Sequence, residues 1–392
     1  MDATARAVEA AARAAYLRLV AWLGARSRDI AGAEDALSDA FAAALTHWRH
    51  TGIPTDPQAW LLTTARRRMI DAARRHHTRE AAIPTLLLTA PTEFVDHEFP
   101  DERLKLLFVC AHPAIDPAAR TPLMLQVVLG LDAATIARAF VASPTAISQR
   151  LVRAKEKIRT AHIPFLVPEA SELPPRLDAV LQAIYACYAT GWDRLEAPLE
   201  AEALHLARIA FALLPTEPEA MGLLALLLFC ASRRDARRNA AGAFIPLDRQ
   251  DPALWSAAMI DEAHTLLTRA AAAGRPGRFQ LEAAIQSVHI ARRDHGHTDW
   301  SAIALLYEGL WAIAPTIGIA VARAAALAEA IGPADGLAAL PDAPTYQPYW
   351  VTRASLLRRL GRTEDADAAT AQAIALTEDP ALRAFLGEEG RE

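Results

Sequence analysis

The sequence predicts an all-α protein, and three observations carry that prediction. Alanine is abundant while aromatic residues make up only 6% of the chain. Runs of β-branched residues are scarce, and alanine-rich segments without them favour helix over strand. Segment after segment repeats its apolar residues at three- and four-residue spacing, the period of one helix face. A chain of 392 residues with 53% hydrophobic residues has material for two or more domains. The net charge is −5, so any surface for nucleic acid has to be local. The three cysteines (Cys110, Cys187, Cys230) are odd in number and far apart. That argues for a reducing compartment, hence a cytoplasmic protein, and against a disulfide framework or zinc knuckle. The N-terminal segment lacks the apolar core of a signal peptide. The most apolar run, Met221 to Ala231, is too short to span a bilayer.

The first helix is expected from Ala5 to Gly24, with Tyr16, Leu19, Val20 and Leu23 inward. A short turn, ARSRD, leads to a second helix, Ile30 to Trp48. Its buried stripe is Ala33, Ala36, Leu37, Ala40, Phe41 and Leu45, which leaves Glu34, Asp35 and Asp39 outside. Gly52-Ile53-Pro54 breaks the chain, and Asp56-Pro57 opens a third helix, Gln58 to His76. There Trp60, Leu61, Thr64, Met69, Ile70 and Ala73 are placed inward. Between Trp60 and Arg79 stand six arginines (Arg66, Arg67, Arg68, Arg74, Arg75, Arg79) and one acid, Asp71. Such a face is either simply solvated or a groove for nucleic-acid backbone, where cations gain by releasing counterions. Trp60 either seals the core or stacks on an extruded base.

Residues 81–100 are rich in proline, lack a helical period and read as a linker. A second module spans 101–163, beginning DERLKLLFVC. Its centre is Asp132 to Arg159, two helices joined by a tight turn. Asp132 is a good N-cap for the first, whose Ile136, Ala137 and Phe140 fall on one face. Ser143-Pro144 starts the second: a capping hydroxyl, then a proline where its missing N–H costs nothing. Ile147, Leu151, Ala154 and Ile158 form one stripe. Ser148, Gln149, Arg150, Arg153, Lys155 and Lys157 fall opposite. This is the pattern of a helix-turn-helix, whose second helix enters a major groove. Thr145, Ser148, Gln149 and Arg150 are placed to meet base edges, and Arg153 and Lys157 to meet phosphates.

The order of these pieces resembles one family. An acidic AEDALSDAF helix, then PQAWLLTTARRRMIDAARR, then a helix-turn-helix ending SQRLVRAKEKIR resembles extracytoplasmic-function sigma factors of bacterial RNA polymerase, in the sigma-70 family. The resemblance covers Tyr16 to about Arg79 and Asp101 to Ile163. It implies that residues 1–80 bind core polymerase and the minus-10 element. Glu34, Asp35 and Asp39 would dock on the clamp helices of the β′ subunit. Trp60 and Arg66, Arg67, Arg68, Arg74 and Arg75 would melt and capture the minus-10 strand. Many relatives carry Asn in the position of Arg67. The helix-turn-helix would read the minus-35 element and sit on the β flap. The linker would let the modules reach both the double-stranded and the melted promoter elements. FVCAHPAIDP resembles a variant that carries a long helical C-terminal extension. Relatives often show two adjacent cysteines there. This chain has Cys110 then Ala111, so a buried thiol is expected rather than a metal ligand.

Residues 164–175 hold four prolines and read as a hinge, and 176–392 is helix after helix. Ala203, Ala207, Ala210 and Pro215 share their spacing with Ile303, Tyr307, Leu310 and Pro315. Ala366, Thr370 and Ala373 repeat the first three, after a glycine turn at Gly361. GRTEDADAATAQAIAL resembles the second helix of a tetratricopeptide repeat. A tetratricopeptide-like solenoid is therefore expected, offering a concave surface to a protein or peptide ligand. Arg233 to Asp251 fits no repeat and is expected to be a loop tied by ion pairs. His289, His295, His297 and Asp299 lack the spacing of a helical metal site.

No phosphate loop, nucleophile elbow or paired-carboxylate motif appears, so neither an enzyme nor a cofactor is expected. The expected protein is a sigma factor with a fused regulatory helical domain and no membrane partner. The alternative is a helix-turn-helix regulator acting without polymerase, with the repeat domain as sensor. The acidic face Glu34 to Asp39 beside a second basic helix separates the two, since an ordinary repressor needs neither.

Overall fold

The computed structural model describes residues 3–77, 102–140, 142–169, 172–194 and 197–389. Regular structure among them is helical, apart from one isolated antiparallel bridge between Arg238 and Phe244. The chain forms two compact units, Met1–Cys187 and Tyr188–Glu392. The first holds both expected DNA-reading modules.

In the first unit, α1 (Ala3–Ser27) and α2 (Ile30–Thr51) pack along each other, with α3 (Pro57–His77) against α2. The turn between α1 and α2 is tight. Arg28 takes a left-handed φ of 58°, and Asp29 caps α2 by accepting from the Gly32 N–H at 2.9 Å. Gly52, at φ 85°, ends α2. The inward stripe of α2 is Ile30, Ala33, Ala36, Leu37, Ala40, Ala44 and Trp48. The expected Leu45 is instead 38% exposed and Phe41 only half-buried. Apart from the adjacent pair Ala36 and Leu37 the stripe steps by three or four from Ile30 to Trp48, and the two misplaced residues each lie one position past a member of it, Ala40 and Ala44. In α3 the buried set is Leu61, Leu62, Ala65 and Met69. Trp60, Thr64 and Ile70, expected inward, sit half-buried at its margins. The side chain of Ala73 lies outside the described residues, as does the expected linker 81–100.

The second module packs in the same unit as α4 (Arg103–Cys110), α5 (Pro117–Val127), α6 (Ala133–Ala139) and α7 (Pro144–Thr160). α4 is buried along nearly its whole length. Both α4 and α5 contact α1, and α7 contacts α2. Ile163 and Phe165 are buried, and a Cβ on Gly24 of α1 would touch the Phe165 ring at 3.7 Å. The start of the expected hinge is thus packed against α1. The boundary between units falls inside α8 (Pro174–Arg194), not at the prolines before it.

The second unit runs from the end of α8 through α9 (Ala197–Leu213), α10 (Pro218–Ser232), α11 (Ala257–Ala272) and α12 (Arg278–His295). It continues through α13 (Trp300–Ile313), α14 (Ile317–Ala330), α15 (Pro333–Ala339), α16 (Gln347–Arg359), α17 (Thr363–Ala375) and α18 (Pro380–Glu389). The apolar run noted in the sequence is α10, buried almost throughout between α9, α11 and α12. Glu219 at its start accepts from the backbone N–H groups of Phe279 (2.9 Å) and Gln280 (3.2 Å), closing the N-terminus of α12. The helical residues of the three segments with shared spacing lie in α9, α13 and α17 and are buried or half-buried, while Pro215 and Pro315 stand exposed just past the ends of α9 and α13.

The segment from Arg233 to Trp255 is tied down. Arg234 pairs with the buried Glu200 at 3.5 Å, and Arg238 with Asp379 at 2.5 Å. Arg292 donates to the carbonyls of Leu247 (2.9 Å), Asp248 and Gln250 (3.0 Å). His295 and His297 are exposed, and Asp299 is occupied as the N-cap of α13. Burial beside Arg233 and Arg292 holds the His289 imidazole down at about 4, hence neutral near pH 7.

The α10–α12 crossing gives a test of packing. A Cβ on Gly222 would stand 2.7 Å from the Gln280 backbone nitrogen, so one backbone would have to move. Gly222→Ala should cost about 1–3 kcal/mol. Gly309→Ala on the exposed face of α13 meets only the Leu281 methyl at 3.6 Å. It should be neutral or stabilising by up to about 1 kcal/mol. Urea denaturation followed by circular dichroism separates the two.

Candidate nucleic-acid interface

Three helical faces of the first unit carry the residues that the sequence singles out. On α2, burial of the stripe forces the acids outward: Asp35 and Asp39 are exposed and Glu34 is partly covered. Glu34 accepts from the Lys155 ammonium of α7 at 2.6 Å. Its carboxylate also lies near Tyr16. Burial first, and then Glu34, raise the phenol above its ordinary pKa, opposed by a hydrogen bond with Ser38.

On α3, Asp56 caps the helix by accepting from the Ala59 N–H at 2.9 Å. With Leu61, Leu62, Ala65 and Met69 inward, Arg67 and Arg68 are exposed. Arg66 is half-buried and close enough to Arg26 to help depress its pKa, after burial. Arg74 and Arg75 lie in the last turns of α3, and their side chains are outside the described residues. Trp60 belongs wholly neither to the core nor to the surface. Its ring stacks on His47 at 5.6 Å and meets Trp48 edge-on at 5.5 Å. His47 and Trp48 come from the end of α2, so the aromatic cluster joins the two helices beside the arginine face. Its signal in the sequence is Trp48, which continues the α2 stripe one turn past Ala44.

The two helices α6 and α7 form as their caps dictate. Asp132 accepts from the Thr135 N–H at 2.7 Å, and Ser143 Oγ from the Ala146 N–H at 3.2 Å. Pro144 opens α7, and Ile147, Leu151, Ala154 and Ile158 are all buried. Ile136 and Ala137 of α6 pack inward, but Phe140 is 40% exposed. It lies just past the last residue of α6, where the chain has begun to turn. Thr145, Ser148, Gln149, Arg153 and Lys157 are exposed and Arg150 is half-buried. Arg150, Arg153 and Lys157 converge on an open cleft of about 240 Å³ whose other wall includes Ala114, Ile115 and Asp116. Asp116 is held as the cap of α5, accepting from the Ala118 N–H at 2.9 Å. The cleft therefore gathers three cations against one engaged acid, a local basic surface on an acidic chain. Lys155 departs from the expectation. It turns away from this outward face onto the flank of α7 toward α2, and its side chain is only 13% exposed. No sequence signal marks that contact, because its partners are 121 residues apart.

Cys110 is a fully buried thiol whose pKa is pushed far up by burial. His112 Nδ1 accepts from the Ala114 N–H at 3.1 Å. Among the described residues no group of His, Cys, Asp and Glu is placed to hold a metal ion. No helix among them is long and apolar enough to cross a membrane.

Comparison with known proteins reaches the helices that carry two of these faces. Residues 12–79, which cover most of α1 and all of α2 and α3, match the family model for Sigma-70 region 2. Residues 176–271 match a family of unknown function, DUF6596. The chain is 37% identical over 378 residues to the uncharacterized protein R00370 of Rhizobium meliloti (strain 1021). That similarity covers 92% of this chain and 89% of the relative. No solved structure matches.

The turn leading into α7 is tested through its cap. Ser143→Ala removes the acceptor for the Ala146 N–H and should lower stability by about 1 kcal/mol, whereas Ser143→Gly should cost only a few tenths. Thermal unfolding of the two variants checks the order.

Proposed function

The chain is a sigma-70-family protein of the same family as the Rhizobium meliloti protein R00370, and from that premise we propose that it directs RNA polymerase core to a set of promoters and helps open them. The observation that carries this reading is the division of labour between helical faces. α2 presents acids, α3 presents arginines beside an aromatic cluster, and α7 presents polar and basic residues from a capped helix-turn-helix. A regulator acting alone has use for the third face only.

In this reading Glu34, Asp35 and Asp39 dock on the β′ clamp helices. Trp60 with Arg66, Arg67, Arg68, Arg74 and Arg75 engages the minus-10 strand, where unstacked bases and backbone charge are both accessible. Thr145, Ser148, Gln149 and Arg150 read the minus-35 major groove, while Arg153 and Lys157 hold its phosphates and the module sits on the β flap. The work is binding and strand capture in the cytoplasm, without covalent chemistry. The second unit is a tetratricopeptide-like regulatory domain for a protein or peptide ligand, coupled to the first through the shared helix α8.

Two experiments test the DNA assignments. Arg150→Ala should cost about 1–3 kcal/mol on the cognate minus-35 sequence and relax specificity at one position. Lys157→Ala should weaken cognate and scrambled sequences alike and lower the salt slope by about one. Equal losses on both sequences for Arg150→Ala would count against base readout. Replacing Arg67 and Arg68 together by Ala should reduce permanganate reactivity of the melted region while core binding persists. An unchanged footprint would remove the minus-10 assignment.

A further inference from the structure

The charge pair between α2 and α7 joins a residue assigned to polymerase binding to the helix assigned to DNA. Glu34 belongs to the acidic face assigned to core polymerase. Lys155 lies on the flank of the recognition helix. They meet at 2.6 Å with side-chain exposures of 23% and 13%. Charges this far out of water interact more strongly than surface pairs, and removing one strands the other. Wholly buried Cys110 lies close enough to both for Lys155 to lower its pKa and Glu34 to raise it, beneath a larger push from burial. Three elements, α2, α4 and α7, therefore close on one another here.

The pair is backed by apolar contact. A Cβ on Gly130, the glycine after α5, would stand 3.2 Å from a Leu17 methyl of α1, and Phe165 closes on α1 near Gly24. Arg26 lies over the Trp22 ring at 3.7 Å and feels the Glu102 carboxylate before α4. Glu102 is itself held by Lys105 at 2.7 Å. The helix-turn-helix module is thus docked on the polymerase-binding module, with Glu34 already engaged.

We propose that Lys155 is an internal competitor for Glu34: it holds the free chain closed, and polymerase core must displace it to dock on α2. The inference rests on the sigma-factor reading above. A partner that binds only the open arrangement has its apparent affinity reduced by the fraction of chain that is open. Weakening the closed state therefore raises apparent affinity for core without adding any contact to core.

The test uses the full chain with spin labels at Thr46→Cys on α2 and Val152→Cys on α7, both exposed positions. Pulsed electron resonance on the free protein should give one short, narrow distance. Lys155→Glu, which opposes Glu34 with like charge, should give a longer and broader distribution, and the exchanged pair Glu34→Lys with Lys155→Glu should restore the short one. Lys155→Met, which keeps the aliphatic stem, serves as the milder variant, and circular dichroism shows that each is folded. In parallel, unlabelled Lys155→Glu and Lys155→Met chains should bind core polymerase at least several-fold more tightly than the wild type. An unchanged distance in Lys155→Glu would overturn the closure. A lengthened distance with unchanged core affinity would overturn the competition while leaving the sigma-factor reading intact. Core binding by the Lys155 variants but not by the wild type would support strong closure. Failure of every form to bind core would sink the sigma-factor reading and the competition with it, whatever the distances show.

Discussion

Burial of one narrow stripe per helix is the constraint on which the functional surface depends. In α7 the stripe Ile147, Leu151, Ala154 and Ile158 is fully used by packing. The remaining residues then have no choice of direction: Gln149, Arg153 and Lys157 must face out. In α2 the same constraint, met largely by alanines, turns Asp35 and Asp39 to solvent. Small stripe residues also let neighbouring helices approach closely.

The electrostatics follow from that geometry rather than from overall composition. The chain is acidic overall, yet two helical faces of the first unit each carry neighbouring cations: Arg67 and Arg68 on α3, and Arg150, Arg153 and Lys157 on α7. In the proposed reading nucleic acid would meet these faces locally, within roughly a Debye length of 8–10 Å at ordinary ionic strength. The acids of α2 stand on a different helix from both, so under the proposed function polymerase and DNA would not compete for one surface. The exception is Glu34, whose cation, Lys155, comes from α7 itself.

Much of the candidate site is legible in the amino-acid sequence, because capping and periodicity are local. Asp132, Ser143-Pro144 and the α7 stripe can be placed from their neighbours in the chain, and the folded protein uses each as its chemistry suggests. The departures are of two kinds. Leu45, Phe41 and Phe140 are apolar residues just off a stripe or past a helix end, where hydrophobicity is a poor guide to burial. Lys155 falls among the outward cations by its spacing, but spacing shows which side of a helix is polar, not which neighbour flanks it. The docking of the two modules, the packing of Phe165 and the tether of Arg238 to Asp379 all depend on residues far apart in the chain, which no periodicity reports.

The most direct measurement of the central claim is transcription reconstituted from purified parts. Core polymerase, the full chain and a library of promoter fragments would be mixed and the transcripts sequenced. The account predicts co-elution of the chain with core on gel filtration, and transcripts that start a fixed distance downstream of paired minus-35 and minus-10 elements. A folded chain that binds promoter fragments tightly on its own, neither joins core nor yields such starts, and is unaffected by Lys155 replacement would contradict it.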